Sequence, residues 1–227
     1  MIGFAHRGAK AYAPENTIEA FELALKLGAT GLESDVWRTI EGIPVLDHDG
    51  VVKRGLRRVA ISQLRRDDLP GHIPTLADLL HRIPSDVPIS LDVKDESAFA
   101  GVIDVYDEMR PASLELLYLC HPDHEVLRRE RATSRNVRLV HSTRLASMKQ
   151  GPERHAARLR EAGIDVVNMP YPDWNGGLVA LFARFGIQSF AWDCQHERQL
   201  AEVRRMRVDG VYSDWPDRIA DMLRERA

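Results

Sequence analysis

Short apolar runs recur along the chain, and each is followed by a longer segment whose apolar residues repeat with helical spacing. This alternation predicts parallel β-strands joined by crossover helices. The predicted strands number eight and cover residues 2–6, 30–36, 88–93, 114–119, 137–141, 165–168, 187–192 and 210–213. A further apolar piece, residues 43–46, follows the second strand and is either an extra strand or part of a long connection.

Capping signals mark the first and last helices. Asn16 is the predicted N-cap of the first helix, Glu19 follows three residues later as in a capping box, and Gly28 ends the helix. Asp214 is the predicted N-cap of the last helix, which carries Pro216 in its first turn.

Eight strand and helix pairs within 227 residues predict a single-domain (β/α)₈ TIM barrel over residues 1–227. An open doubly wound sheet would show the same alternation, but neither GxGxxG nor GxxxxGK[ST] follows an early strand. Residues 51–73 have the least regular pattern and are predicted to be a short insertion near the barrel mouth. The basic run KRGLRR inside it is read as a solvated face, with attraction of an anionic headgroup as the alternative.

Composition narrows the class of partner. The formal net charge of −3 and the pI near 6.3 provide no basic footprint for nucleic acid. The N-terminus does not have the pattern of a secretory signal, and no apolar run is long enough to span a bilayer. Cys120 and Cys194 match neither a disulfide framework nor a zinc spacing. We therefore expect a protein of the reducing cytoplasm whose partner is a small molecule.

Acidic side chains follow two of the predicted strands. Glu33 and Asp35 stand two residues apart and so share one face, and Asp92 and Lys94 repeat the arrangement on the next long strand. Carboxylates this close repel one another unless a cation offsets their charge. Oxygen ligands favour Mg²⁺ or Ca²⁺, so Glu33, Asp35 and Asp92 are the predicted metal ligands. The alternative is a set of salt bridges with Lys94 or Arg38.

Two histidines, His6 and His48, lie at or just beyond the ends of strand-like pieces. Active sites of barrel enzymes lie at the strand ends, and phosphodiester cleavage needs one group that removes a proton and another that donates one. We interpret the pair as general base and general acid, with Arg7 and Lys94 binding phosphate oxygens. A surface or hydrogen-bonded imidazole is the alternative for each histidine.

An ordered series of motifs carries a family resemblance. AHRG, PENT, Glu33 with Asp35, PVLDHD, IPTL, SLDVK, AWDCQ and DGVYSDWPD together resemble the glycerophosphodiester phosphodiesterase family over nearly the whole chain. The resemblance implies a TIM barrel, a divalent ion, and a mechanism in which a neighbouring substrate hydroxyl attacks phosphorus to form a cyclic phosphate. It also implies that Trp192 walls the pocket over the substrate's glycerol, although a Trp at a strand end is equally good core material.

Departures from the family pattern leave open which diester is the substrate. Asp92 stands where the hydrolases usually have Glu, as in the related sphingomyelinase D branch, and Asp193 and Ser213 stand where Thr is usual. The predicted substrate is a small glycerophosphodiester that is cleaved to sn-glycerol 3-phosphate and an alcohol. Lysophospholipase D or sphingomyelinase D activity, or a non-catalytic diester-binding barrel, are the alternatives. No sequence feature fixes the oligomeric state.

Overall fold

A computed structural model describes residues 1–133 and 136–224. The strands are β1 (Ile2–His6), β2 (Gly31–Arg38), β3 (Pro44–Leu46), β4 (Val51–Arg54), β5 (Arg57–Ala60), β6 (Ile89–Val93), β7 (Leu117–His121), β8 (Arg138–Ser142), β9 (Val166–Pro170), β10 (Gln188–Trp192) and β11 (Gly210–Ser213). The helices are α1 (Ile18–Lys26), α2 (Leu76–Arg82), α3 (Ala98–Met109), α4 (His124–Thr133), α5 (Pro152–Glu161), α6 (Gly176–Arg184), α7 (Glu197–Met206) and α8 (Pro216–Arg224).

Eight of these strands form a closed parallel barrel. Their order is β1, β2, β6, β7, β8, β9, β10 and β11, and β11 pairs with β1 to complete the ring. Strand β3 lies outside the ring and pairs antiparallel with the end of β2. Because the ring closes, the predicted TIM barrel is confirmed and the open doubly wound sheet is excluded.

The barrel interior is filled mainly by aromatic side chains. Phe4, Tyr118, Phe190 and Tyr212 contact one another, with ring centroids 4.9–6.0 Å apart. A second and larger apolar layer lies between the strands and the surrounding helices. The interior is thus a packed core, which leaves the carboxyl ends of the strands as the place for a site.

One predicted strand is displaced. The prediction at residues 114–119 is wrong at its start, because Pro111–Leu116 forms a 3₁₀ helix and the strand begins at Leu117. Pro111 occupies the first turn, where its fixed φ and missing N–H are tolerated. The other seven barrel strands lie within two residues of their predicted bounds.

Both predicted N-caps are wrong. Thr17 caps α1, since its hydroxyl accepts a hydrogen bond from the Ala20 amide at 3.2 Å. Asn16 is buried instead and contacts Ser34 and Asp35 of β2. The Asp214 carboxylate accepts a hydrogen bond from His6. Both side chains are used by the site at the strand ends rather than by their own helices.

The insertion at residues 51–73 is more regular than its sequence pattern suggests. Strands β4 and β5 form an antiparallel hairpin over a small apolar cluster that includes Val52, Ile61 and Leu64. Leu56 at the hairpin tip is fully exposed.

Within residues 1–133 and 136–224, no helix has the length and apolarity that crossing a bilayer requires.

Candidate active site

Strand register brings the predicted polar residues together. His6 at the end of β1 pairs with Glu33 of β2, and Asp35 pairs with Asp92 of β6. Residues two apart on a strand share a face, and neighbours in parallel register point the same way. The imidazole and the three carboxylates therefore converge at the carboxyl ends of adjacent strands.

A cavity of about 790 Å³ opens at this end of the barrel. Its lining includes seven of the eight predicted site residues: His6, Arg7, Glu33, Asp35, Asp92, Lys94 and Trp192. His48 is not in the lining formed by the described residues.

His6 is held on both sides of its ring. Nδ1 lies 2.6 Å from Asp214 Oδ1, and Nε2 lies 3.9 Å from Glu33 Oε2. Burial by itself lowers the pKa of His6, but the charge of Glu33 and the hydrogen bond to Asp214 outweigh it and raise that pKa above its ordinary value. Nδ1–H donation to Asp214 leaves Nε2 as the nitrogen that faces the acidic cluster.

Glu33 is nearly buried and accepts a 2.9 Å hydrogen bond from the Arg7 amide. Burial raises the pKa of Glu33 to about 7; the charge of His6 opposes this rise and that of Asp35 adds to it. Arg7 has a φ of 53° and Gly8 one of 79°, so the turn after β1 is left-handed. A Cβ at Gly8 would lie 2.7 Å from the backbone carbon of Ala20, so this turn requires glycine.

Two cations face Asp35. Lys94 Nζ lies 3.0 Å from Asp35 Oδ1 and 2.5 Å from Asp92 Oδ2, and Arg7 Nε lies 3.1 Å from Asp35 Oδ2. Burial lowers the pKa of Lys94, but both carboxylates act against it and the net shift is upward. Lys94 therefore forms the salt bridges that were the alternative to a metal site. Arg38 does not take part in them and pairs with Asp95.

The acidic cluster also fits a hard cation by its chemistry. Glu33, Asp35 and Asp92 offer carboxylate oxygens, which Mg²⁺ and Ca²⁺ prefer. Burial, and after it the charges of Asp35 and Asp92, raise the pKa of Glu33, so a cation beside this carboxylate would stabilise its charged form. As the side chains stand, no three acidic, His or Cys residues in the described ranges form a coordination sphere.

His48 lies in the loop that follows β3. Its Nδ1 is 2.9 Å from Asp49 Oδ1, and its side chain is 41% exposed. The Asp47 amide donates to the carbonyl of Asp35 at 3.1 Å, which ties this loop to the end of β2. The structure thus places His48 one residue after this contact with β2 and outside the cavity lining formed by the described residues, and its role as the second acid/base group stays a prediction.

A second group of histidines, absent from the predicted site, lines the same cavity. His124, His141 and His155 have ring centroids 5.0–6.2 Å apart. His141 is buried, with Nε2 3.0 Å from the Pro122 carbonyl and Nδ1 3.1 Å from His155 Nε2. His141 lies near the end of β8, after an apolar run that is a usable signal in the sequence, whereas His124 and His155 lie on helices and have no such signal.

Fold and site together define a TIM-barrel enzyme with an imidazole and an acidic cluster at the carboxyl rim. The chain belongs to the glycerophosphoryl diester phosphodiesterase family, whose model matches residues 6–218. The family assignment makes it a phosphoric diester hydrolase of the glycerophosphodiester phosphodiesterase type.

Individual relatives agree with this assignment. YhdW of Bacillus subtilis is 26% identical, with 96% of each chain covered. Glycerophosphodiester phosphodiesterase 1 of Homo sapiens is 35% identical over 60% of this chain and 47% of its own. A phosphodiesterase of Oleispira antarctica, solved in complex with the product sn-glycerol-3-phosphate, shares the fold with a TM-score of 0.85 at 21% identity, covering 99% of this chain and 97% of that one.

Proposed function

We propose that the protein hydrolyses small glycerophosphodiesters to sn-glycerol 3-phosphate and an alcohol, as a single-domain enzyme of the cytoplasm. One observation carries this proposal: His6, Glu33, Asp35 and Asp92 line the same cavity at the barrel rim. Family membership supports the reaction, and the product bound by the Oleispira antarctica relative supports the substrate class.

In this proposal Glu33, Asp35 and Asp92 hold a divalent ion, Mg²⁺ or Ca²⁺. The ion would supply charge that stabilises the phosphoryl oxygens as negative charge develops on them. Lys94 and Arg7, which face the same carboxylates, are placed to bind the non-bridging phosphate oxygens. Trp192 in the cavity lining offers an apolar surface to the carbon atoms of the substrate.

The histidines carry the proton transfers. His6, oriented by Asp214, takes the proton from the glycerol hydroxyl next to the phosphate. That oxygen attacks phosphorus, the bond from phosphorus to the alcohol oxygen breaks, and His48 gives the departing alcohol its proton. Water then opens the cyclic phosphate, and the two histidines exchange roles for this step.

A diester panel with substitutions at the histidines tests the proposal. Release of glycerol 3-phosphate from glycerophosphocholine and glycerophosphoethanolamine is measured with EDTA and with each cation added back. General acid–base groups contribute about 10²- to 10⁴-fold, so His6→Ala and His48→Ala are expected to lose at least about 100-fold in kcat. His81→Ala is the matched control, because His81 is exposed on α2 and bonds only to its own helix.

Each outcome separates the alternatives. Full activity of both variants would overturn the acid/base assignment. Activity that survives EDTA would overturn the proposed requirement for a divalent ion. Turnover of a lysolipid in place of the soluble diesters would indicate lysophospholipase D activity. Binding of a diester without turnover under every cation would indicate a non-catalytic barrel.

A further inference from the structure

The cavity has a second part that the proposed reaction does not use. It is formed by the connections after β7 and β8, and we define it as the cationic lobe, lined by Arg144, Lys149, Arg158, His124, His141 and His155. Among the described lining residues the only carboxylates are Glu33, Asp35 and Asp92, all in the acidic cluster. The cavity therefore has one acidic side and one basic side.

The lobe lies across the mouth from His6. Strand β8 is four strands from β1 in either direction around the ring, which makes it the opposite strand of the barrel. A substrate whose phosphorus lies beside His6 and Asp92 would extend its other end toward β8. The group that reaches the lobe is then the leaving alcohol.

The three permanent charges of the lobe have no carboxylate partner. The Arg144 guanidinium lies 5.0 Å from the Trp192 ring centroid, and Arg158 donates to the Gln150 amide oxygen. Within the described residues no ion pair joins Arg144, Lys149 or Arg158 to an acidic group, in contrast to Lys94 and Arg7. These cations remain available to an anion.

Two histidines of the lobe are held in the neutral form. Burial and then the neighbouring imidazoles of His155 and His124 lower the pKa of His141 to about 3. Burial, His124 and Arg158 lower the pKa of His155 to about 4. Both rings are therefore neutral at pH 7, and the permanent positive charges of the lobe are those of Arg144, Lys149 and Arg158.

We propose that the cationic lobe binds a second anionic group carried by the leaving alcohol, so that the enzyme prefers glycerophosphodiesters whose headgroup bears a phosphate or a carboxylate. This inference rests on the proposed function, because it names the substrate class of the same cavity. A cationic headgroup such as choline would meet like charge in the lobe and be disfavoured.

Two matched substrate pairs isolate the charge. Glycerophosphoserine differs from glycerophosphoethanolamine by one carboxylate, and glycerophosphoinositol 4-phosphate differs from glycerophosphoinositol by one phosphate. The readout is the ratio of kcat/KM within each pair, in which a general loss of activity cancels. The pair with the larger ratio identifies the phosphate or the carboxylate as the preferred group.

The variant R144Q/K149Q/R158Q removes the three charges and keeps a polar side chain at each position. An exposed ion pair contributes up to about fivefold, so the ratio is expected to fall by about 10-fold or more in the triple variant. The control K26Q/R184Q/R205Q removes three exposed cations from the last turns of α1, α6 and α7, at the other end of the barrel. The control is expected to keep the ratio of the unmodified protein.

A binding measurement keeps this inference separate from the proposed function. Inositol 4-phosphate is titrated by calorimetry in EDTA, and the triple variant is expected to bind it at least about 10-fold more weakly. If no diester is cleaved but this loss of binding is found, the proposed function fails and the lobe assignment stands. If diesters are cleaved, both ratios lie near one, and the triple variant binds inositol 4-phosphate as the unmodified protein does, the lobe assignment is overturned.

Discussion

Asp214 orients His6, and replacing its carboxylate with an amide tests whether that contact matters for turnover. Asp214 Oδ1 lies 2.6 Å from His6 Nδ1, so the carboxylate fixes the tautomer with Nε2 free to act as a base. Asn has the same shape, but its amide nitrogen can donate to Nδ1 and reverse the tautomer. The change thus removes one interaction with little change in side-chain volume.

The magnitude follows from the exposure of the pair. A hydrogen bond to a charged group contributes about 1.5–3 kcal/mol, which corresponds to about 10- to 150-fold in rate. The side chains of His6 and Asp214 are 28% and 24% exposed, so solvent weakens the interaction and the lower part of that range applies. We expect kcat of Asp214→Asn to fall by about 10- to 30-fold, with KM little changed.

The assay measures kcat and KM separately for glycerophosphoethanolamine, together with a urea unfolding curve. Asp217→Asn is the control, since Asp217 is also an acceptor near the start of α8 but bonds to Tyr12 and not to His6. Activity of Asp214→Asn within twofold of the unmodified protein would refute the positioning role. An equal loss in both variants would attribute the effect to surface charge.

Three further predictions concern stability and reactivity. Phe190→Ala empties part of the aromatic core and is expected to lower the free energy of unfolding by about 3–5 kcal/mol in a urea titration; a loss below about 1 kcal/mol would contradict the packed interior. Gly8→Ala is expected to lower the free energy of unfolding by at least about 1 kcal/mol more than Gly42→Ala does. Both glycines have a positive φ, but only at Gly8 would the added Cβ clash with backbone atoms, those of Ala20. Equal unfolding midpoints of the two variants would contradict this. Burial raises the pKa of Cys120, and it raises the pKa of Cys194 to about 12. Iodoacetamide at pH 8 is therefore expected to leave both thiols of the folded protein unmodified, as measured by mass spectrometry. Labelling of the folded protein at the rate of the urea-unfolded chain would contradict this expectation.

Most of the fold could be predicted because barrel strands are buried on both sides. Such strands read as short apolar runs, and seven of them were predicted within two residues of their bounds. The prediction was wrong where local patterns were ambiguous. Residues 114–116 are apolar and polar in a mixture that suits either a strand or a 3₁₀ turn, and the hairpin of β4 and β5 is too polar to resemble a strand.

The site was partly predictable for the same reason. Glu33 and Asp35 share a face because strand side chains alternate, and this follows from the backbone alone. Asn16 and Asp214 were misassigned because an Asn or Asp before a helix is a good N-cap wherever nothing else competes for it. Here β2 takes the Asn16 side chain and the imidazole of His6 takes the Asp214 carboxylate. Neither contact can be inferred from the spacing of residues in the sequence.

The sequence alone determined most of the barrel strands, the alternation of strands with helices, and the strand face on which each polar residue lies, since these depend on backbone periods of two and 3.6 residues. Only the tertiary structure decided the contacts between distant residues. His6 meets Asp214 across 208 positions because β1 pairs with β11, and the basic connection after β8 faces the acidic strands because the ring closes. Such contacts depend on packing and register between elements, which no local pattern encodes.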